Sequence, residues 1–202
     1  MSSPLRVKGF QIFAEYLDRA ACDALVHDLR DVARVAPFRV PVTPSGKVMS
    51  VRMTSAGRVG WITDQKGYRY ESVQPSGAPW PPVPVRLLEL WRDVTGLTRD
   101  PDCCLVNYYG EGAKMGLHQD KDEGDFDWPV VSVSLGDEAL FRMGNPTRGG
   151  STDSVWLKSG DVVVMGGAAR LAYHGIDRVR FGSSNLLKDG GRINVTLRVV
   201  AG

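Results

Sequence analysis

The chain has 202 residues, a length that fits one domain with a substantial core. Hydrophobic residues make up 43% and charged residues 24%, which is ordinary for a globular protein and excludes wholesale disorder. The net charge of +2 at pH 7 excludes a strongly basic chain, although a local basic patch can lie within a balanced total.

Two helices are predicted in the N-terminal half of the chain. The first follows Asp18 as its N-cap, carries apolar residues at helical spacing and ends at Pro37. The second begins near Pro84, a residue tolerated in a first turn, and ends at Gly96. The segment between them is rich in glycine, proline, β-branched and aromatic residues, so we expect strands and turns there.

After Gly96, every ordered segment has the composition of a β-strand. The runs are DCCLVNYY, PVVSVSL, ALFRM, SVWL, DVVVMGG, LAYHGI and RINVTLRVV, separated by turn-forming residues. Short strands of this kind indicate an all-β sandwich or barrel. We therefore predict a mainly β protein with N-terminal helices. A double-stranded β-helix (jelly roll) suits this layout, although strand counting alone does not fix that topology.

The three cysteines are Cys22 and the adjacent pair Cys103 and Cys104, an odd number without Cys-x-x-Cys spacing. We expect free thiols in a reducing compartment. The opening segment MSSPLRVKGFQ lacks the apolar core of a secretory signal, and no apolar run approaches the length of a membrane span. These features predict a cytoplasmic protein that does not use a membrane.

Two of the three histidines lie in contexts suited to metal binding. His118 and Asp120 form a His-x-Asp pair, which on an extended segment places both side chains on one face. His174 follows the apolar run DVVVMGG, far away in sequence. Two imidazoles and one carboxylate form a facial triad with open positions, which is typical of non-haem Fe(II) oxygenases. A His-x-Asp pair alone also occurs by chance, and His27 in the first helix has no ligand-like neighbours.

The last predicted strand has one polar and one apolar face. Its polar face carries Arg192, Asn194, Thr196 and Arg198. If the apolar face packs against another layer, both arginines point into the barrel, where a buried cation needs an anionic partner. 2-Oxoglutarate fits, because its keto acid end chelates iron and its far carboxylate needs a bidentate cation. The alternative is an edge strand whose polar face meets solvent.

Several blocks of the sequence follow one another in a characteristic order. They are PFRVPVTPSGKVMSVRMTSAG, GWITDQKGYRYES, PWPPVP, NYYGEGAKMGLHQDKDE, SVSLG, GDVVVMGG, YHGI and RINVTLR. Together they resemble the bacterial AlkB family of nucleic-acid dealkylating dioxygenases over nearly the whole chain. The resemblance implies a single domain over residues 1–202, with a nucleotide-recognition lid at about 38–80 and a double-stranded β-helix core at about 100–202. It also implies Fe(II), with 2-oxoglutarate and dioxygen as co-substrates.

The resemblance implies a role for each matching residue. The iron ligands would be His118, Asp120 and His174. The residues that hold 2-oxoglutarate would be Asn107, Tyr109, Arg192, Asn194 and Arg198, with Arg192 at the distal carboxylate and Arg198 at the iron end. The substrate contacts would be Trp61, Tyr68, Arg69, Tyr70, Asp122 and Arg148. No catalytic side chain beyond the metal triad is required.

The activity implied by the resemblance is oxidative demethylation of bases of the 1-methyladenine and 3-methylcytosine type in DNA, with RNA as a further polymer. Trp61 would stack on the damaged base against His118, an interaction of about 1–3 kcal/mol per base. A methylated pairing edge also lowers the cost of extruding the base, so we expect action on single-stranded or flipped-out bases. We also expect the protein to be a monomer. Two alternatives are an oxygenase acting on protein or a small molecule and a non-catalytic β-barrel binding module.

Three positions depart from the family's pattern, namely Lys47 in the lid, Arg142 in a strand and Ile193 in the last strand. The loop DRVRFGSSNLLKDGG also differs in sequence and length. None of these positions belongs to the iron triad. They bear on substrate range and leave the expected reaction type unchanged.

Overall fold

The computed structural model describes residues 3–201, which contain two α-helices and thirteen β-strands. The helices are α1 (Arg19–Val35) and α2 (Val85–Thr95). The strands are β1 (Leu5–Val7), β2 (Phe10–Phe13), β3 (Val51–Gly57), β4 (Gly60–Asp64), β5 (Gly67–Glu71), β6 (Cys103–Tyr109), β7 (Met115–His118), β8 (Val130–Gly136), β9 (Ala139–Met143), β10 (Asp153–Leu157), β11 (Val162–Met165), β12 (His174–Val179) and β13 (Arg192–Arg198).

Both predicted helices are confirmed, with the boundaries that their capping residues set. The Asp18 side chain accepts a hydrogen bond of 2.8 Å from the Ala21 amide, which satisfies a backbone donor that the first turn of α1 leaves free. α2 ends at Gly96, whose φ of 70° lies in the left-handed region that glycine adopts without steric cost. Each helix buries one apolar face against the larger sheet.

The strands form a seven-stranded sheet, a four-stranded sheet and a separate hairpin. The larger sheet has the order β1-β2-β11-β8-β13-β6-β3, the smaller has the order β10-β9-β12-β7, and β4 pairs with β5. The two sheets face each other across an apolar layer, which is the arrangement of a double-stranded β-helix. The predicted mainly β fold is therefore confirmed.

The strand prediction was wrong in a few places. Every predicted run contains a strand, but LAYHGI becomes one only at His174 and continues to Val179. The end of DVVVMGG is not strand, because Gly167–Ala169 form a 3-10 turn. The short strands β1, β2 and β7 were not predicted, since three or four residues give too little periodicity to recognise.

Strand β13 lies in the middle of the larger sheet, between β8 and β6. Its apolar residues, including Val195 and Leu197, pack in the cluster that contains Leu25 of α1 and Trp91 of α2. Its polar residues therefore face the space between the two sheets. The alternative of a solvated edge strand is wrong.

The segment predicted as a lid contributes to two different sheets. β3 pairs along its full length with β6, so it is the edge of the larger sheet. The hairpin of β4 and β5 stands apart from both sheets. Cys22, Cys103 and Cys104 are buried and unbridged, as expected. Neither helix in residues 3–201 is long and apolar enough to cross a membrane.

Candidate active site

His118, Asp120 and His174 meet at the mouth of the space between the two sheets. His118 ends β7 and His174 begins β12, and the two are cross-strand partners whose rings lie 4.6 Å apart. Asp120 lies in the loop just after β7. One ligand atom from each of the three residues lies within 4.8 Å of the others. The predicted triad is therefore assembled, although only His118 of the His-x-Asp pair belongs to a strand.

Glycine at position 175 allows this close approach of β7 and β12. A Cβ atom there would lie 2.6 Å from the Met115 carbonyl oxygen and 2.8 Å from that of Gly116. Both distances are too short for any other residue without moving the backbone. The sequence His174-Gly175 thus supplies a metal ligand and the space that lets it face His118.

Hydrogen bonds fix which nitrogen of each imidazole can bind a metal. His118 Nδ1 lies 3.0 Å from the Gly116 carbonyl, and His174 Nδ1 lies 3.0 Å from the Ala172 carbonyl. Because a carbonyl only accepts hydrogen bonds, Nδ1 carries the proton in both rings. Nε2 of each ring is then a free lone pair, directed toward Asp120 at 3.7 Å.

The charges at the site favour the protonation states that metal binding requires. Burial lowers the pKa of His174 to about 4, which keeps the ring neutral. Burial opposes ionisation of Asp120, but the neighbouring basic groups, Arg198 first among them, together outweigh it, and the pKa of Asp120 falls to about 2. Arg198 Nη2 lies 2.9 Å from Asp120 Oδ1. The carboxylate is thus charged and held in place, and Oδ2 has no hydrogen-bond partner in residues 3–201.

A buried ion-pair network continues from Asp120 to the β4–β5 hairpin. Glu123 is its centre: Oε1 accepts from Arg198 at 3.3 Å and from the Tyr70 hydroxyl, and Oε2 accepts from Arg170 at 3.1 Å. Arg170 Nη1 also donates to the Asp120 carbonyl at 2.6 Å. Sequence reasoning missed Glu123 and Arg170, although Glu123 lies in the same QDKDE block as Asp120. Both side chains are buried and fully paired, which marks them as part of the site, but this feature can be recognised only in the folded structure.

A cavity of about 490 Å³ opens beside the triad. The polar faces of β6 and β13 form one of its walls, with Leu105, Asn107, Tyr109, Arg192, Asn194, Thr196 and Arg198. All five residues expected to hold 2-oxoglutarate line this cavity. The register of the sheet explains this, because Arg192 pairs with Tyr109 and Asn194 pairs with Asn107. Side chains directly opposite each other on neighbouring strands share a face.

Arg192 is the deepest charge in the cavity and has no anionic partner in the described residues. Its side chain is 1% exposed, its Nη2 donates to Ser134 Oγ at 3.0 Å, and its Nε and Nη1 have no partner. Burial accordingly lowers the pKa of Arg192. An unpaired buried guanidinium is costly, so this end of the cavity fits the carboxylate of a bound dianion. Asn107 Oδ1 and Arg198 Nε are also unpaired in this part of the molecule.

Four of the six expected substrate contacts lie at the outer end of the same cavity, namely Trp61, Tyr68, Asp122 and Arg148. Trp61 stacks on Tyr68 with ring centroids 5.6 Å apart, and its Nε1 donates to Asp122 Oδ2 at 2.8 Å. Tyr68 is 48% exposed. The mouth therefore presents two aromatic faces and a carboxylate.

The structure does not bring Arg69 and Tyr70 to the cavity wall. Trp61 and Tyr70 are cross-strand partners on one face of the hairpin, and Arg69 lies on the other face. Arg69 donates to Asp64 at 2.8 Å and to Glu71 at 2.7 Å. The Tyr70 hydroxyl points inward to Glu123 and Arg198. In this conformation both side chains are engaged within the protein.

Comparisons with known proteins agree with this geometry. The family model of the 2OG-Fe(II) oxygenase superfamily matches residues 9–198. An alpha-ketoglutarate-dependent dioxygenase AlkB homolog of Caulobacter vibrioides is 50% identical over 200 residues, covering 98% of this chain and 91% of that protein. The dioxygenase AlkB of Escherichia coli is 44% identical over 183 residues, covering 88% of this chain and 84% of that protein. The solved structure of OsALKBH1 has a TM-score of 0.81 at 28% identity, covering 96% of this chain and 99% of that one.

The fold and the site define a 2-oxoglutarate- and Fe(II)-dependent dioxygenase, with His118, Asp120 and His174 as its facial triad. Within that class, the chain belongs to the AlkB family, which repairs alkylated DNA bases by oxidative demethylation. The chain is therefore an enzyme, and the non-catalytic binding module is excluded.

Proposed function

We propose that this dioxygenase removes methyl groups from the ring nitrogens of bases such as 1-methyladenine and 3-methylcytosine in single-stranded or flipped-out DNA, with RNA as a further substrate. The observation that carries the proposal is the mouth of the iron cavity, where the Trp61–Tyr68 pair and Asp122 lie beside the triad. We also propose that it acts as a cytoplasmic monomer, with the lid over about residues 38–80 and the catalytic core over about 100–202 of one domain.

When bound, iron with 2-oxoglutarate and dioxygen supplies the oxidant that hydroxylates the methyl group, with succinate, carbon dioxide and formaldehyde as products. The chain's own residues position the reactants. His118 and His174 would bind the metal through Nε2, and Asp120 through the carboxylate oxygen that lacks a partner in residues 3–201. Arg198 holds the Asp120 carboxylate at the iron end of the cavity.

The inner part of the cavity would hold the co-substrate. Arg192 would pair with the distal carboxylate through its two free nitrogen donors, while Asn107, Tyr109, Asn194 and Arg198 would complete the site. The Arg192 guanidinium lies over the Tyr109 ring, 5.4 Å from its centroid, and both side chains are buried. Burial of these groups would keep water out of the inner part of the cavity.

The outer part of the cavity would hold the damaged base. Trp61 would exchange its stacking contact with Tyr68 for one with the base, against the His118 ring. A base methylated at a pairing nitrogen is cationic at neutral pH, so the Asp122 carboxylate would favour it over an undamaged base. The selectivity would arise from charge and from the lower cost of flipping a lesion that cannot pair.

The test is demethylation by reconstituted protein. The protein is loaded without air with Fe(II) and 2-oxoglutarate and then exposed to air with oligonucleotides that carry 1-methyladenine or 3-methylcytosine. Mass spectrometry follows the loss of the methyl group, with His118→Ala as the control. Demethylation by the wild type alone supports the proposal. Succinate formed without demethylation would instead favour an oxygenase of protein or a small molecule.

A further inference from the structure

A second cavity, of about 430 Å³, adjoins the mouth of the active site. We name it the Arg142 cavity, and its polar lining includes Arg142, Asn145, Thr147, Arg148 and Thr152. Leu117, Arg148 and Tyr173 line both this cavity and the iron cavity. Leu117 and Tyr173 directly precede the metal ligands His118 and His174. The two cavities therefore meet beside the triad.

The Arg142 cavity carries positive charge and no carboxylate in its described lining. Arg148 is exposed and makes no ion pair or side-chain hydrogen bond within residues 3–201. Arg142 Nη2 donates to Thr152 Oγ1 at 3.2 Å, and its Nη1 lies 3.5 Å from Asp177 Oδ1 at the rim. Both members of that pair are substantially exposed, at 38% and 46%, so the pair is weak and can be exchanged for another anion.

The loop that forms this cavity has a backbone that depends on glycine. Gly149 and Gly150 have φ angles of 99° and 79° in succession, and a Cβ atom on Gly150 would lie 2.6 Å from Asn145 Nδ2. Asn145 is itself held, since its Oδ1 accepts from Lys8 Nζ at 3.1 Å and its Nδ2 donates to the Gly149 carbonyl at 3.2 Å. The loop therefore keeps an open, polar space in front of Arg142.

We propose that the Arg142 cavity binds a phosphodiester group of the substrate strand, next to the nucleotide whose base enters the iron cavity. Guanidinium groups recognise phosphate oxygens through paired hydrogen bonds, and a flipped nucleotide leaves its flanking phosphates at the mouth of the active site. The cavity's position and charge match that requirement. The proposal rests on the nucleic-acid substrate proposed above and adds a site that fixes the strand while the base is bound.

The test compares Arg142→Gln with a matched control on the same face of the smaller sheet. The control is Arg178→Gln. Arg178 lies on the same outer face as Arg142, since it pairs with Leu140, two residues before Arg142 in β9. It packs on Trp156 and has no carboxylate partner in residues 3–201. Two substrates are used, a pentanucleotide with a central 1-methyladenine and the 1-methyladenosine nucleoside, which has no phosphate. Turnover gives KM and kcat, and fluorescence anisotropy gives the salt dependence of pentanucleotide binding.

For Arg142→Gln, we expect the KM of the pentanucleotide to rise about tenfold with kcat unchanged, because one charge-assisted phosphate contact is lost. The slope of log affinity against log salt should fall by about 0.7, the value for one phosphate of a single strand. Arg142→Lys should keep the salt slope while raising KM. Turnover of the nucleoside should change far less than turnover of the pentanucleotide.

Three results would overturn the site. Arg142→Gln could match Arg178→Gln in KM and salt slope while the wild type demethylates the pentanucleotide, which would remove the site and leave the proposed function standing. Equal losses on nucleoside and pentanucleotide would show that Arg142 acts on the iron cavity instead. A wild type that demethylates neither substrate would remove the proposed function and the phosphate site together.

Discussion

Arg192 illustrates how a residue suited to ligand binding can destabilise the ligand-free protein. Its guanidinium is 1% exposed and has a single hydrogen-bond partner, Ser134, in the described residues. A buried charge without a partner destabilises a fold, and replacing it with an apolar side chain of similar volume is often neutral or stabilising. A bound carboxylate would supply the missing partner. Removing the charge of this residue should therefore weaken the affinity for 2-oxoglutarate without lowering the stability of the free protein.

The prediction concerns Arg192→Met, which keeps much of the side-chain volume and removes the charge. We expect the KM for 2-oxoglutarate to rise on the order of a hundredfold, because truncating one partner of a buried charge pair costs about 2–5 kcal/mol. The free energy of unfolding of the metal-free protein should stay the same or increase. Succinate formation and urea denaturation measure the two quantities. A variant that loses stability but retains its KM would show that Arg192 is a structural residue.

At the scale of secondary-structure elements, buried ion pairs join segments that the sheets alone do not connect. The Glu123 network links the β4–β5 hairpin, through Tyr70, to the loop that carries Asp120. A change in the position of the hairpin is thereby coupled to the carboxylate of the metal site. On one face of the hairpin, Tyr70 thus contacts the buried network while its cross-strand partner Trp61 reaches the cavity mouth.

Asp102 performs a similar role at the same end of the larger sheet, where its amide donates to the Arg198 carbonyl at 2.8 Å. It precedes β6, and its Oδ2 accepts from the Val200 amide at 2.9 Å and the Ala201 amide at 3.3 Å. Its Oδ1 accepts from Arg58 Nε at 2.9 Å, and Arg99 Nη2 lies 3.3 Å from Oδ2. Burial opposes ionisation, but these contacts outweigh it and the pKa of Asp102 falls below its usual value of 3.8. The charged form thus stabilises the junction.

Replacing Asp102 with Asn should lower the free energy of unfolding by about 2 kcal/mol at pH 7, because charge-assisted hydrogen bonds are lost. Since the pKa is lower in the folded protein than in the unfolded chain, the contribution is present above about pH 4 and disappears as the pH falls further. The difference between wild type and variant should therefore be constant from pH 7 to 5 and shrink in acid. Urea denaturation of both proteins from pH 7 down into acid measures this difference. A difference that persists unchanged in acid would contradict the stabilising role of the charged carboxylate.

Patterns along the chain predicted the parts of the fold that depend on periodicity. Alternation in β13 placed Arg192 and Arg198 inside the barrel, and the capping residues placed both helices. Side-chain contacts between distant segments have no such periodicity. Glu123 and Tyr70 are 53 positions apart, and only the fold brings them together. The ion pairs of Arg69 with Asp64 and Glu71 depend on how the hairpin folds, which a resemblance of sequence does not specify.

At the scale of the whole molecule, the interior between the two sheets contains a polar region that is incomplete without its ligands. One part of that interior is an apolar layer, to which both sheets contribute, with Phe10 from the larger and Phe141 and Met143 from the smaller. Another part presents Asp120, Arg192 and Asn107, each with an unpaired atom among the contacts of residues 3–201. Ligands that bind only the folded state stabilise it by mass action. Metal and 2-oxoglutarate should therefore stabilise the whole domain as well as occupy its active site.

The prediction is a rise in Tm when the protein is saturated with Mn(II), as a stand-in for Fe(II), together with 2-oxoglutarate. At about 100 times the dissociation constant, the ligands contribute about 2.7 kcal/mol, which corresponds to a rise of about 5–10 °C for a domain of this size. Differential scanning calorimetry measures the shift. His174→Ala should lose the part that depends on the metal, and Arg192→Met should lose the part that depends on 2-oxoglutarate while keeping the response to metal. Equal shifts in wild type and both variants would mean that the ligands bind elsewhere, because neither residue would then contribute to the stabilisation.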